Sequence, residues 1–324
     1  MNLMCGVLFL CLLSVGIQGC SSSVKTVEVE DALLWEVSGN GLQQSSYVLG
    51  TKHDVDPAFL VTIPGFRRIF KAVKQFAPEC DMLSSEFSQL KRPKTNQRER
   101  YLLMPLDTTY NMLYDTKDFQ LVDSVLKRYT SFYEKFIPLY WVRSYGNEIM
   151  TQGRGSQKGM DVHLTLVSYQ NSKKIVPLES VEDISRREAM LWQLNRNVNL
   201  RMQAEQLLFL IKCREPLEGY AVLVDSLYRQ HKLSVFSNKL LLKEMLNKMS
   251  VPDSIVFAAL GSTYLKEYTY MIGIKRNKDW IGKIEKMIKK ASTLIAVGGA
   301  HLLGKDGIIE LLREQGYVVQ PVVN

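Results

Sequence analysis

Two short stretches, residues 47–54 (YVLGTKHD) and residues 294–304 (LIAVGGAHLLG), share one pattern that decides the predicted fold. Each is an apolar run that stops at a glycine, and a histidine follows three residues after that glycine, His53 in the first and His301 in the second. A glycine at a strand end lets the backbone turn without a steric penalty from Cβ. Ligands bind open α/β sheets at the carboxyl ends of the strands. We therefore expect the two histidines to form two halves of one site.

Strand patterns stand at both ends of the chain. Residues 33–37 and 46–49, with Asn-Gly between them, predict a β-hairpin. Near the C-terminus we expect a helix over 280–290, a strand over 293–297, a helix over 307–315 and a strand over 317–323. This order predicts an α/β unit with parallel pairing.

A long helical block separates the two ends. Residues 181–250 are rich in Leu, Met, Glu, Arg and Lys and predict two or three long helices, interrupted near 213–216. We interpret this block as an insertion or cap. The predicted fold is thus α/β (α+β), with a mixed central sheet from two related halves and a large helical part.

Two carboxylates follow short strand-like runs in the middle of the chain. The segment GFRRIFKAVKQF (residues 65–76) has helical spacing of its apolar residues, and CDMLSSEFS after it reads as a strand with Glu86 near its end. The run KKIVPLES places Glu179 just past a second strand. A carboxylate at a strand end is a candidate metal ligand or general base.

The N-terminus predicts export. An apolar stretch within residues 1–19 is too short for a membrane span and ends in IQGC, where Cys20 resembles the lipid-attachment cysteine of a bacterial lipoprotein signal. An ordinary secretory signal or a short anchor is the alternative. We expect residues 20–32 to be a tether, residues 33–324 to be the folded domain, and the protein to sit lipid-anchored in the cell envelope, at the outer membrane or its periplasmic face.

The composition of the chain limits the classes of partner that the protein is expected to bind. The formal net charge is +8, but no zinc-finger or RNA-binding signature is present, so no nucleic-acid partner is expected. Cys80 and Cys213 are the thiols left after removal of the signal and acylation of Cys20. Either they pair in the oxidising envelope or they are two buried thiols.

The candidate chemistry rests on few residues. Imidazole binds Zn, Mn, Co or Fe, and a carboxylate adds a harder ligand or a base, so His53, His301 and Glu86 form a candidate metal site. The alternative is that each histidine is a hydrogen-bonding turn residue. No HExxH or Cys-x-x-Cys spacing decides between them.

The pairing of YVLGTKHDVDP with LIAVGGAHLLGKDGIIELLREQGYVVQPV resembles the TraB/PrgY/GumN family, which includes the animal Tiki proteases. The middle segment KGMDVHLTLVSYQNSKKIVPLES and the Arg276-Asn277 pair resemble further motifs of that family, although Lys275 stands where the family has an acid. The resemblance implies a divalent-metal-dependent peptidase, with Mn or Co favoured and Zn or Fe as alternatives.

The family's motifs imply roles at matching positions. His53 and His301 would help bind the metal, and Glu86 would be a ligand or base. Arg276 would stabilise an oxyanion, and Asn277 would position a ligand or substrate.

Several of these residues also have plain structural interpretations. Glu179 and Asp161 are either supports for a histidine or ordinary carboxylates, with Glu179 as a cap of the next helix. Likewise, Arg276 could be an ion-pair partner and Asn277 a helix N-cap.

The sequence therefore predicts a hydrolase of a peptide or related amide or ester bond, anchored to a membrane by its lipid and acting on a peptide or protein substrate. Two alternatives stay open. One is a binding lipoprotein for haem or another ligand, with Tyr47, Tyr110 and Tyr114 as contacts; the other is an esterase of the erythromycin-esterase type. The substrate and the oligomeric state are not decided by the sequence.

Overall fold

The computed structural model describes residues 31–91, 102–153, 159–196, 199–236 and 263–323. The predicted signal, Cys20 and most of the predicted tether lie outside these residues, as does the end of the predicted helical block after residue 236.

A six-stranded mixed sheet forms the centre of the fold, in the order β4-β3-β5-β2-β1-β6. Neighbours among β4, β3, β5 and β2 are parallel, whereas β1 is antiparallel to both β2 and β6. The strands are β1 Leu34–Ser38, β2 Ser46–Thr51, β3 Gln75–Pro78, β4 Lys174–Ile175, β5 Thr293–Gly298 and β6 Val318–Pro321. The mixed α/β sheet and the N-terminal hairpin are therefore confirmed.

The central position of β5 follows from its sequence. All six of its residues, TLIAVG, are buried, and strands flank both edges of β5. A continuous apolar run is typical of a parallel strand that is buried on both faces.

The structure corrects two sequence-based expectations. The helix expected to run to residue 76 ends at Ala72, and the strand lies before residue 79 rather than over residues 80–88. Phe76 and Ala77 are fully buried against β5, so packing in the sheet overrides the helical spacing. The second correction concerns the predicted parallel pairing of the two C-terminal strands. β6 does not pair with β5, since β2 and β1 lie between them.

Helices occupy most of the remaining described chain. Their bounds are α1 Phe66–Ala72, α2 Ser85–Lys91, α3 Thr116–Leu126, α4 Pro138–Thr151, α5 Met160–Gln170, α6 Val181–Arg196, α7 Leu200–Lys212, α8 Arg214–Arg229, α9 Thr263–Thr269, α10 Lys275–Lys290 and α11 Ile308–Glu314. A π-helix, Tyr270–Ile274, joins α9 to α10. The predicted interruption near 213–216 is the break between α7 and α8 at Cys213. Within the described ranges, every helix is too short or too polar to cross a membrane.

Two apolar cores stabilise the molecule. One surrounds the sheet, and the other is formed mainly by α3, α4, α7 and α8. Cys80 and Cys213 are both buried and unpaired, so they are the two buried thiols of the second sequence-based alternative. Burial raises the pKa of Cys80 to about 12 and that of Cys213 to about 11, which makes both thiols unreactive near neutral pH.

The C-terminal end of α8 lies against the turn after β2. The buried hydroxyl of Tyr228 donates to the carbonyl of Gly50 at 2.9 Å. Lys52 Nζ pairs with Asp225 Oδ1 at 3.2 Å. The helical part of the fold thus holds the first Gly-x-x-His turn in place.

Candidate functional site at the carboxyl edge of the sheet

The two histidine turns lie side by side because their strands are neighbours. Parallel pairing of β2 with β5 places Thr51 beside Gly298, so the residues that follow leave the sheet at the same edge. On the other side of β5, β3 ends at Pro78, and Glu79 is the next residue. The carboxyl ends of three neighbouring parallel strands therefore supply His53, His301 and Glu79.

His53 is held by a carboxylate from α5. Its Nδ1 lies 2.5 Å from Asp161 Oδ2, and the hydroxyl of Thr51 donates to the other oxygen of Asp161 at 2.6 Å. Burial disfavours the charged ring, but the Asp161 carboxylate outweighs it and raises the pKa of His53 to about 9. At neutral pH, His53 is therefore an imidazolium whose Nε2 points away from Asp161.

His301 has an amide partner instead. Asn277 Nδ2 donates to the carbonyls of His301 and Asp306 at 3.1 and 2.8 Å, which orients the amide so that its Oδ1 faces His301 Nδ1 at 2.6 Å. An amide oxygen only accepts, so the ring proton is on Nδ1 and Nε2 carries the lone pair. Burial, together with the nearby Arg276 cation, lowers the pKa of His301 to about 4, although Glu79 opposes this shift. His301 is thus neutral at pH 7.

Arg276 links the two strand-end carboxylates. Its Nη2 donates to Glu79 Oε2 at 2.6 Å, and its Nε and Nη2 donate to the two oxygens of Glu179 at 2.8 and 3.0 Å. Arg187 also donates to Glu179. Burial opposes ionisation of Glu79, but Arg276 holds the pKa of Glu79 far below its usual range. Both carboxylates are therefore ionised and cannot supply a proton near neutral pH.

The backbone before Arg276 contributes to its placement. Arg276 is the second residue of α10, the helix that directly follows the π-helix, and its Nη1 lies 3.4 Å from the carbonyl of Ile272 inside the π-helix. The guanidinium also lies over the ring of Trp280, with Cζ 4.5 Å from the ring centroid. Short π-helical segments are frequent at functional sites.

Atoms of His53, Glu79 and His301 converge on Gly298. A Cβ atom built on this glycine would lie 3.5 Å from Glu79 Oε1, 3.6 Å from His53 Nε2 and 3.7 Å from His301 Cδ2. The backbone N–H of Gly298 also donates to Glu79 Oε1 at 2.8 Å. The side of Gly298 from which a Cβ would project therefore faces an imidazolium, a neutral imidazole and a carboxylate. We refer to His53, Glu79, Arg276 and His301 as the strand-edge cluster.

The structure brings together most of the residues singled out in the sequence. His53, His301, Arg276 and Asn277 meet here, with Asp161 and Glu179 as their charged partners. Glu179 does not cap the next helix, because Ser180 and Asp183 cap it with reciprocal bonds.

Glu86 is not brought to the cluster. It lies in the first turn of α2 with an exposed side chain, seven residues past the position that Glu79 occupies. The displacement of the expected strand accounts for this difference, because the true end of β3 is Pro78. Lys275 also points away, since it is partly exposed and pairs with Asp279 at 2.6 Å.

The tyrosines suggested for a haem-binding alternative lie elsewhere. Tyr110 and Tyr114 pack against each other in the helical core, and their hydroxyls donate to backbone carbonyls of Phe136 and Ala204. Tyr47 is the second residue of β2, near the end opposite Thr51. These contacts give no support to a phenolate ligand at the cluster.

Sequence reasoning missed Glu79, Thr51 and Arg187. Glu79 had one usable signal, the buried segment QFAP directly before it. Thr51 and Arg187 had no local sequence signal. Thr51 contacts Asp161, which is distant in sequence, and Arg187 acts only through its contact with Glu179.

The donor atoms of the cluster meet only part of what a divalent metal needs. Each histidine uses Nδ1 for a side-chain partner and turns its other edge towards Gly298, as ligand histidines commonly do. However, Arg276 Nη1 lies 3.2 Å from His301 Nε2, and Arg276 also binds Glu79. Among the residues that the structure describes, no three His, Cys, Asp or Glu side chains are arranged to hold a metal ion. The arrangement as it stands does not fit a metal held by three protein ligands.

The fold and the cluster define a class of protein, an α/β protein with a buried histidine, glutamate and arginine site at the carboxyl edge of a mixed sheet. A sequence model of the TraB/PrgY/gumN family matches residues 33–321, which is most of the chain. The chain belongs to the TraB/PrgY/gumN family. Neither the curated proteins nor the solved structures contain a match to it.

Proposed function

We propose that this protein is a hydrolase of peptide, amide or ester bonds and that the strand-edge cluster is its active site. The observation that carries the proposal is the convergence of His53 Nε2, the His301 ring and Glu79 Oε1 on one point beside Gly298. Hydrolysis needs a base for water, a proton donor for the leaving group and positive charge near the developing oxyanion.

The two histidines have the complementary states that acid–base chemistry requires. His301, with its lone pair on Nε2, would take a proton from the attacking water. His53, as an imidazolium, would donate a proton to the leaving group. Environments that push the pKa values of two groups apart assign the acid and the base.

Arg276 has two parts in this scheme. Its Nη1 lies 3.2 Å from His301 Nε2, and the attacking water would take the place of this contact. The guanidinium would then remain beside the reacting carbonyl and stabilise its oxygen as negative charge develops. Glu79 and Glu179 would hold the guanidinium in position.

Metal dependence remains a separate prediction, which the resemblance to peptidases of the Tiki type supplies. The residues that would hold a divalent ion are His53, His301 and Glu79, although Arg276 contacts both His301 and Glu79 in the arrangement described above. The ion would supply a Lewis acid and an activated water. Hydrolysis that survives a chelator would favour the acid–base scheme, and hydrolysis restored only by Mn or Co would favour the metal.

The direct test is a screen of the purified protein against peptide, amide and ester substrates, with chelator or with added Mn, Co, Zn or Fe. Gly298→Ala ties any activity to the cluster. The new methyl group meets its neighbours at ordinary contact distances of 3.5 Å or more, and the φ of Gly298, −53°, suits alanine. We therefore expect a folded protein with activity reduced at least about 100-fold, because the methyl would push a reacting group away from its place beside His53, Glu79 and His301.

Gly282→Ala is the matched control. Gly282 lies inside α10, and a Cβ there would have no heavy atom within 4 Å. This variant should be as active as the wild type and about 1 kcal/mol more stable, since alanine favours a helix interior. Full activity in Gly298→Ala would place the reaction elsewhere.

We also propose that the protein is exported and lipid-anchored at Cys20, which the sequence of the N-terminus supports. Metabolic labelling with a fatty acid should mark the wild type and leave Cys20→Ser unlabelled. Label retained by Cys20→Ser would contradict the anchor.

A further inference from the structure

A small cavity lies beside His53, between the turn after β2 and the helices α4 and α8. Its inner wall is apolar and consists of Met150 from α4 with Ala221 and Val224 from α8, all nearly fully buried. The cavity is partly open and offers about 20 Å³, little more than the room for one water-sized group.

The rim of the cavity is polar, but its charges are already paired. Lys52 Nζ contacts Asp54 Oδ1 at 2.5 Å and Asp225 Oδ1 at 3.2 Å, and Lys52 is only 4% exposed. A charged side chain that entered here would have to break these pairs. A methyl group would need no polar partner, whereas a water molecule needs two to four.

The cavity is next to the proposed reaction point. His53 forms part of its wall and also directs Nε2 towards Gly298. Successive residues of an extended peptide are about 3.3–3.6 Å apart, so a substrate with a side chain in the cavity could extend past the shared His53 ring towards the strand-edge cluster.

We propose that this cavity is a binding subsite for a small aliphatic side chain, of alanine or 2-aminobutyrate size, on the substrate residue beside the cleaved bond. This assignment rests on the proposed hydrolytic function. It limits the substrate class to chains with a small apolar residue at that position.

Binding is tested without turnover, by ligand-observed NMR with the N-acetyl methylamides of alanine, 2-aminobutyrate, leucine and phenylalanine. The two small ligands should bind at least about tenfold more tightly than the two large ones, the discrimination that one or two methylenes produce in an apolar pocket. Equal binding of all four, or no binding of any, overturns the subsite.

Two variants and one control locate the binding. Ala221→Leu fills the cavity and should abolish binding of the small ligands. Val222→Leu, at the next position of α8 where the side chain is 55% exposed, should leave it unchanged. Val224→Ala enlarges the cavity, so the affinity for the leucine amide should come to within about threefold of the affinity for the alanine amide. This result remains informative if Ala221→Leu fails to fold. An unchanged preference in Val224→Ala contradicts the assignment.

A peptide library with varied residues separates this proposal from the proposed function. Cleavage next to all residues alike would overturn the subsite and leave the hydrolase intact. Selective binding of the small ligands without cleavage of any peptide or ester would support a binding site for small aliphatic groups in the cavity, but it would overturn the hydrolase and with it the position of the subsite beside a cleaved bond.

Discussion

Replacing Asp161 with asparagine removes the charge that keeps His53 protonated and leaves the shape of the site unchanged. The Oδ1 atom of the new side chain still accepts the hydroxyl of Thr51, while its amide nitrogen faces His53 Nδ1 and forces the ring proton onto Nε2. With the carboxylate gone, burial is the main remaining influence, so the pKa of His53 should fall from about 9 to below 6.5.

The size of the effect follows from that shift. A rise from 6.5 to about 9 corresponds to about 3 kcal/mol in favour of the folded imidazolium. Because the folded pKa is raised, this stabilisation is fully present below pH 6.5 and is lost as the pH rises through 9. The free energy of unfolding of Asp161→Asn should therefore lie about 3 kcal/mol below that of the wild type at pH 6, and this pH-dependent gap should close above pH 9.

Two measurements check the prediction. NMR titration of the His53 Cε1–H signal gives the pKa directly, and urea unfolding at several pH values gives the stability gap. Asp279→Asn removes the same charge from an exposed ion pair and should cost no more than about 0.5 kcal/mol at any pH. A His53 that still titrates near 9 in Asp161→Asn, or a stability gap that is constant from pH 6 to pH 10, would refute the reasoning.

Two further predictions concern the chemistry of the cluster and the identity of its carboxylate. For hydrolysis, kcat/KM should have a bell-shaped dependence on pH. It should rise as His301 loses its proton near pH 4 and fall as His53 loses its proton near pH 9. A profile with no fall between pH 8 and 10 would contradict the role of His53 as the acid. Glu79→Gln leaves the buried Arg276 with one carboxylate fewer, so it should lower the free energy of unfolding by about 3 kcal/mol or more and remove most of the activity. The control Glu86→Gln should change the free energy of unfolding by no more than about 0.5 kcal/mol. Equal effects of the two variants would show that Glu79 has no special role.

The parts of the structure that the sequence predicts are those with a local signal. The hairpin, the strand over 293–298 and both histidine turns follow from apolar runs that stop at glycine. The rule that ligand sites form at the carboxyl edge of a sheet predicts that the two turns share one site, and the pairing of β2 with β5 is what brings the turns together.

The parts that the sequence does not predict depend on distant partners. The strand before Glu79 continues a helical apolar pattern, and only pairing with β5 stops the helix at Ala72. Arg276 contacts Glu79 and Glu179, which are 197 and 97 residues away along the chain. A single sequence without aligned relatives carries no local trace of such contacts.

The same dependence on distant partners explains how one repeated motif can hold two histidines with different charges. Both histidines follow a glycine at the end of a parallel strand, and both use Nδ1 for a side-chain bond. The partner of His53 is a carboxylate from α5, which stabilises the charged form of the ring. The partner of His301 is an amide from α10, and the guanidinium of Arg276 next to it disfavours the charged form of the His301 ring. The backbone repeat thus fixes where the two rings lie, and the helices between the repeats decide which ring is positively charged.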